Sequence, residues 1–336
     1  TPRELRLASR AACAPSLFIP AAQKGASSYL FELLAQHPQT LRPLRGSQYK
    51  EPGAYTTPVY FRQPLAKRVS RFPYSRPSEH LVNVDGTVTY ATESRLPAMR
   101  AALDSPFAKV IFALREPADR SFSDYRFCYR PHFERADLGW DQAVTRALPL
   151  YEACFANASS SDSAAMDAYY GLRCERLHLR RADAVGLVRK SLYYYQLRHF
   201  ADVFGRDAVV AVTAEQLKRD PVAALRRVVA SVGFLCPFDG FQKLDAVHVT
   251  SVKLPSHHYW SRPVYDSYRA FLRPHNRRLF DFLHADEADL LWNQPPPDSL
   301  RGHSSTADRG LRRGKGPQRE EAARGRSDSR TTQGAS

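Results

Sequence analysis

The chain has 336 residues, with 49 Lys and Arg against 34 Asp and Glu and a formal charge of +15. Hydrophobic residues make up 43% and charged residues 25%, ordinary globular usage that excludes a wholly disordered, collagen-like or coiled-coil chain and suits one large α/β domain or two small ones. The positive excess predicts a polyanionic partner: nucleic acid, a phosphorylated cofactor, an acidic membrane surface or an acidic polysaccharide.

Residues 1–15 lack the apolar core of a signal peptide, and no apolar run approaches the roughly eighteen residues that a membrane span needs. Because the chain opens on Thr, a targeting segment ahead of it is expected to be missing from this sequence. The run Ser16-Leu17-Phe18-Ile19-Pro20 predicts a strand, residues 21–28 a small and polar loop, and Leu30, Phe31, Leu33 and Leu34 a helix. The same grammar returns in the strand Lys109-Val110-Ile111-Phe112-Ala113-Leu114, the turn Arg115-Glu116-Pro117 and a helix carrying Phe122, Tyr125 and Phe127, with Pro117 in its first turn. A long helical pattern over 185–204 then precedes a third strand at 209–212 and a helix over 221–232. Strands alternating with helices predict a mainly parallel sheet covered on both faces.

From 295 onward the composition changes at Pro295-Pro296-Pro297, aromatic residues vanish, and from Arg301 nine basic residues face four acidic ones. This predicts a solvated, disordered basic tail. The five cysteines, Cys13, Cys128, Cys154, Cys174 and Cys236, form no C-x-x-C pair and no Cys/His ligand spacing, so no metal site is expected. Asn157-Ala158-Ser159 is a glycosylation sequon.

In a parallel sheet, ligands bind where strands lead into helices. Two such loops here carry a cation, Lys24 and Arg115, and each sits ahead of a helix N-terminus suited to an anion. The first reads Gln23-Lys24-Gly25-Ala26-Ser27-Ser28: a cation, a small-residue turn and two hydroxyls. It is not a Walker loop, because its Lys precedes the small residues. The second is Arg115-Glu116-Pro117-Ala118-Asp119-Arg120-Ser121-Phe122-Ser123-Asp124-Tyr125, in which Arg115 and Ser123 are expected to converge on one phosphate.

At these motifs the sequence resembles the sulfotransferases that use 3′-phosphoadenosine 5′-phosphosulfate (PAPS). His37-Pro38, Lys50-Glu51-Pro52, Val84-Asp85-Gly86-Thr87, Lys190-Ser191-Leu192-Tyr193-Tyr194 and Arg273-Pro274-His275-Asn276-Arg277-Arg278-Leu279 ahead of Leu291-Trp292 occur in the family's order, over residues 15–293. They look most like the Golgi carbohydrate sulfotransferases, in the branch of N-acetylgalactosamine 4-sulfate 6-O-sulfotransferase and the heparan sulfate sulfotransferases. The resemblance implies an α/β, P-loop-like three-layer fold with a central mainly parallel sheet. It divides the chain into a stem remnant at 1–14, a sulfotransferase domain at 15–294 and the tail at 295–336.

Carried over residue by residue, the resemblance gives Lys24, Gly25, Ala26, Ser27 and Ser28 to the 5′-phosphosulfate loop and Arg115 and Ser123 to the 3′-phosphate. Lys253 falls in a basic loop near the nucleotide, and Glu51 stands where this branch has its general base. In-line transfer to an alcohol needs a carboxylate to take the hydroxyl proton, and cation and backbone donors to neutralise the leaving phosphate, without a metal. Arg62, Lys67 and Arg68 are candidates for the groove of an acidic polysaccharide acceptor, or an ordinary solvated helix face. Relatives hold a disulfide where Cys154 and Cys174 lie; with Asn157 in the same loop this points to a glycoprotein of the secretory pathway, in the Golgi lumen as the soluble part of a type II membrane protein.

The loop departs from the family at Ala26, where Gly is preferred, and at Ser27 and Ser28, where Thr is; a Cβ at 26 crowds a phosphate if the backbone there has positive φ. Gly53-Ala54-Tyr55 after Pro52 departs as well. The alternative class is therefore a non-catalytic protein of this fold that binds acidic glycans. No nucleic-acid motif is present, and no nucleic-acid partner is expected.

Overall fold

The computed structural model describes residues 14–44, 50–56, 62–73, 80–92, 95–134, 137–156, 158, 161–170, 186–233, 235–245, 252, 254–255 and 258–293. All of these fall within one compact unit, Thr1–Gly302. The predicted tail and the positions Lys253, Cys174 and Asn157 lie outside the described residues.

Five strands, β1 (Leu17–Phe18), β2 (Thr40–Leu41), β3 (Val82–Asp85), β4 (Lys109–Leu114) and β5 (Val209–Thr213), form a sheet in the order β2-β3-β1-β4-β5. Every neighbouring pair is parallel. Among the described residues the α-helices are α1 (Ser27–Leu34), α2 (Leu65–Arg68), α3 (Leu96–Asp104), α4 (Pro117–Cys128), α5 (Trp140–Phe155), α6 (Asp162–Tyr170), α7 (Tyr193–Phe204), α8 (Ala214–Arg219), α9 (Pro221–Val232) and α10 (Arg262–Leu283).

Successive strand side chains point to opposite faces, and here both faces are apolar. Leu17, Ile19, Ile111, Ala113 and Val212 join Leu30, Leu33 and Leu34 of α1 and Leu225, Val228 and Val229 of α9 in one core. Phe18, Val110, Phe112 and Leu114 join Phe122 and Tyr125 of α4, Leu197 and Phe200 of α7, and Tyr268 and Leu272 of α10 in the other. The result is the expected three-layer α/β arrangement. It explains why 110–114 is one unbroken apolar run: a strand covered on both faces has no polar side to show.

Local chemistry sets the helix starts. Glu116 accepts the Asp119 N–H at 2.7 Å with Pro117 next in line, and Asp220 accepts the Ala223 N–H at 2.9 Å ahead of Pro221. The long helix read over 185–204 is corrected: residues 189–191 form a 3-10 turn, Leu192 leaves helical geometry at ψ 65°, and α7 starts only at Tyr193. Ser191 causes the break. Its hydroxyl donates to the Pro117 carbonyl at 3.0 Å and accepts from the buried Arg120 guanidinium at 2.8 Å, anchoring the turn under α4. Among the described residues no helix is long and apolar enough to cross a membrane.

Candidate active site

β1 lies inside the sheet, with β3 on one side and β4 on the other; the chain first builds outward from β1 to one edge and then to the other. The crevice at the carboxyl ends of β1 and β4 is the switch point at which such sheets bind ligands. The β1–α1 loop is pressed against β4. Ala21 bridges Ala113, and a Cβ on Gly25 would stand 2.5 Å from the Ala113 carbonyl oxygen, so only glycine fits. Lys24 and Ala26 adopt φ of 71° and 72°, and Ser27 opens α1 with no side-chain cap. The turn therefore presents uncapped first-turn N–H groups, which together with the helix dipole attract an anion.

The Lys24 ammonium lies 5.0 Å from the centre of the Phe127 ring. Burial lowers its pKa, the charge of Asp124 opposes the shift, and that of Arg115 adds to it. Behind the loop, fully buried Arg120 donates to the Gln23 carbonyl at 3.2 Å, to Asp124 at 3.0 Å, to Ser191 and to the Leu187 carbonyl. Lys190 joins this frame through Gln23 and Asp124 at 2.9 and 3.0 Å. The loop is thus held from behind by the buried Arg120 and the partly buried Lys190.

Arg115 leaves the end of β4 with its carbonyl accepting the Tyr193 hydroxyl at 2.9 Å, and Ser123 lies half-buried in the second turn of α4. Beneath them, Glu116 receives Arg269 at 3.5 Å, Asp119 accepts the Tyr265 hydroxyl at 2.8 Å, and Glu215 accepts the Glu116 N–H and the Trp292 indole N–H. Burial, then the charge of Asp119, raises the Glu116 pKa.

The third piece is the segment at Glu51. Lys50 places its ammonium 2.9 Å from Ser27 Oγ and 2.9 Å from Glu51 Oε1, which joins this segment to the first turn of α1. Asp85, at the end of β3, anchors the turn beyond that strand: it accepts from the Thr87 N–H, the Thr87 hydroxyl and the Tyr90 hydroxyl at 2.9, 2.6 and 2.9 Å. Thr87 Oγ1 and the Tyr90 hydroxyl in turn accept the Gly53 and Tyr55 N–H groups at 3.0 and 3.3 Å. Glu51 therefore sits on a loop fixed at both ends, with its carboxylate partly exposed.

Lys24, Gly25, Ala26, Ser27 and Glu51 are thus brought to one place, and Ser28 comes next in the same helical turn. Of the three groove candidates, Arg62 and Lys67 are exposed, whereas Arg68 makes a two-point ion pair with Asp104 at 2.6 and 2.9 Å and ties α2 to α3. Sequence reading gave no role to Lys50, Asp85, Thr87 or Tyr90. The signal available for Lys50, Asp85 and Thr87 was their place in the ordered stretches 50–52 and 84–87; Tyr90 lies outside both and had none. Among the described residues no group of three or more His, Cys, Asp or Glu is arranged to hold a metal ion. An uncapped helix start preceded by a lysine-bearing turn suits a phosphate or sulfate ester.

No family model matches the chain. In three dimensions it is similar to a sulfotransferase from Alicyclobacillus acidocaldarius, at 23% identity and a TM-score of 0.54, over 83% of this chain and 99% of that one. It is also similar to the sulfotransferase domain from the curacin biosynthetic pathway, at 13% identity and a TM-score of 0.36, over 81% and 98% of the two chains. The first likeness shows that this chain shares the fold of the Alicyclobacillus enzyme.

Proposed function

We propose that the chain is a PAPS-dependent sulfotransferase acting on a sugar hydroxyl in an acidic oligo- or polysaccharide. The observation that carries this reading is the contact of Lys50 with both Ser27 and Glu51, which sets a carboxylate beside the uncapped start of α1. When bound, the nucleotide supplies the activated sulfuryl group. Lys24, Gly25, Ala26, Ser27 and Ser28 hold its 5′ side, and Arg115 with Ser123 holds the 3′-phosphate. Glu51 takes the proton of the acceptor hydroxyl, while Lys24 and the first-turn N–H groups neutralise charge on the leaving phosphate. Lys253 is assigned to the nucleotide on the motif order alone.

The acceptor class rests on the family resemblance, the +15 charge and the exposed Arg62 and Lys67. A secretory, Golgi-lumen location rests on the sequon at Asn157 and on the bridge that the family resemblance implies between Cys154 and Cys174. Cys154 is buried, and Cys174 lies outside the described residues. The domain is assigned to 15–294.

Thermal unfolding with and without 3′-phosphoadenosine 5′-phosphate tests the reading. At a hundredfold excess over Kd, a ligand of the native state adds about 2.7 kcal/mol; the parent midpoint rises and that of Arg115→Ala does not. With PAPS and a sulfated polysaccharide, Glu51→Gln keeps the nucleotide response and loses roughly 100-fold or more in turnover. A parent that is not stabilised at millimolar nucleotide overturns the enzyme reading and leaves the non-catalytic glycan binder.

A further inference from the structure

We infer that Lys50 is a positioning residue of the transfer site, whose ammonium ties the base Glu51 to the donor loop at Ser27 and so holds proton acceptor and sulfuryl donor in register. The inference rests on the sulfotransferase reading above and adds a residue to it. Two of the three N–H donors of the ammonium are committed to these two partners, each at 2.9 Å. The stem is fixed too. The Lys50 carbonyl accepts the Gly86 N–H at 3.0 Å, and the methylenes lie directly over Gly86, where an added Cβ would stand 2.6 Å from Cγ and 3.1 Å from Cε.

Glycine at the end of β3 is therefore what lets the side chain lie across the strand end and reach α1. The side chain is only 13% exposed, and burial lowers its pKa while the Glu51 charge opposes that shift. A desolvated ammonium in this place is held by Glu51 and Ser27 rather than by water. The geometry has a functional consequence. Glu51 and Ser27 belong to different segments, and no other side chain among the described residues bonds to both. Without the cation the carboxylate is free to turn away from the loop, and misplacement of a reacting group by about 1 Å costs on the order of a hundredfold in rate.

The test compares Lys50→Met, Lys50→Arg and Gly86→Ala in the full chain, with circular dichroism to establish folding. Nucleotide binding is read from the midpoint shift with 3′-phosphoadenosine 5′-phosphate, and kcat and KM from turnover of PAPS with a sulfated polysaccharide. Lys50→Met is expected to keep the midpoint shift and the nucleotide KM within about twofold and to lose roughly 10- to 100-fold in kcat. Lys50→Arg should recover most of that loss. Gly86→Ala displaces the stem and should lower kcat in the parent but add little in the Lys50→Met background. This non-additivity keeps the test sharp even where one variant folds poorly. A Lys50→Met kcat within twofold of the parent, or a loss of midpoint shift in step with kcat, overturns the positioning role while the sulfotransferase reading stands. A parent with neither midpoint shift nor turnover overturns that reading, and the positioning role with it.

Discussion

At Gly25 the chain passes so close to β4 that a methyl group has no room, and one residue later Ala26 holds φ of 72° with a Cβ in place. The two positions make opposite predictions. Gly25→Ala meets a backbone oxygen that cannot move without β4, so it should cost about 1–3 kcal/mol and abolish the nucleotide midpoint shift. Ala26→Gly relieves a left-handed alanine worth about 1–2 kcal/mol but frees the unfolded chain by about 0.5–1 kcal/mol. Its net effect should be a gain of up to about 1.5 kcal/mol with the nucleotide shift retained, as read by urea unfolding. A loss of stability at Ala26→Gly would show that the turn is not left-handed. The sequence showed Lys24, Gly25 and the hydroxyls as a candidate loop; it did not show which residue needs glycine, because that depends on a carbonyl nearly ninety residues away.

The end of β3 shows how one element disciplines a loop that has no regular structure. Asp85 is fully buried with no cation bonded to it among the described residues, and burial raises its pKa from 3.8 to about 6 in spite of the donors from Thr87 and Tyr90. In that interval the native state holds a proton that the unfolded chain has released. The stabilisation is therefore complete below about pH 4 and is lost as pH rises through about 6, a change of roughly 3 kcal/mol. Denaturant unfolding at about pH 4 and pH 7 should show the parent losing that much more than Asp85→Asn, and identical slopes for the two would rule it out. Helix α4 is the companion case: its Pro117 start was legible from Glu116-Pro117, whereas the frame that Arg120 builds with Gln23, Asp124 and Ser191 was not. Side chains buried between elements carry no periodic signature. For the same reason the apparent helix over 185–204 breaks at Leu192, where Ser191 bonds to α4.

For the whole molecule, charge is the property most directly tied to an acceptor. Arg62 and Lys67 are exposed, while Arg68 is paired to Asp104. On the proposed reading, an acidic polysaccharide held by exposed cations is screened by salt within a Debye length of about 8–10 Å, whereas a nucleotide held by Lys24, Arg115 and a helix start is screened less. Raising salt should therefore raise the acceptor KM several-fold and leave the nucleotide midpoint shift nearly unchanged. Replacing Arg62 and Lys67 together with Ser should flatten that salt dependence, and Arg68→Ser should lower stability instead. A salt-insensitive acceptor KM would place acceptor binding elsewhere.

Period and punctuation by themselves determined the strands at 109–114 and 209–212, the helix over 221–232 and the covered parallel sheet, because burial on both faces writes itself as continuous apolar runs between Gly- and Pro-marked turns. Tertiary structure alone decided the rest. Residues 27, 50–56 and 85–90 meet only after β3 pairs with β1, and the contacts that matter there, from Lys50 to Ser27 and from Gly53 to Thr87, are single hydrogen bonds between distant segments. Such bonds need a residue type but no spacing, so nothing in the linear pattern announces them.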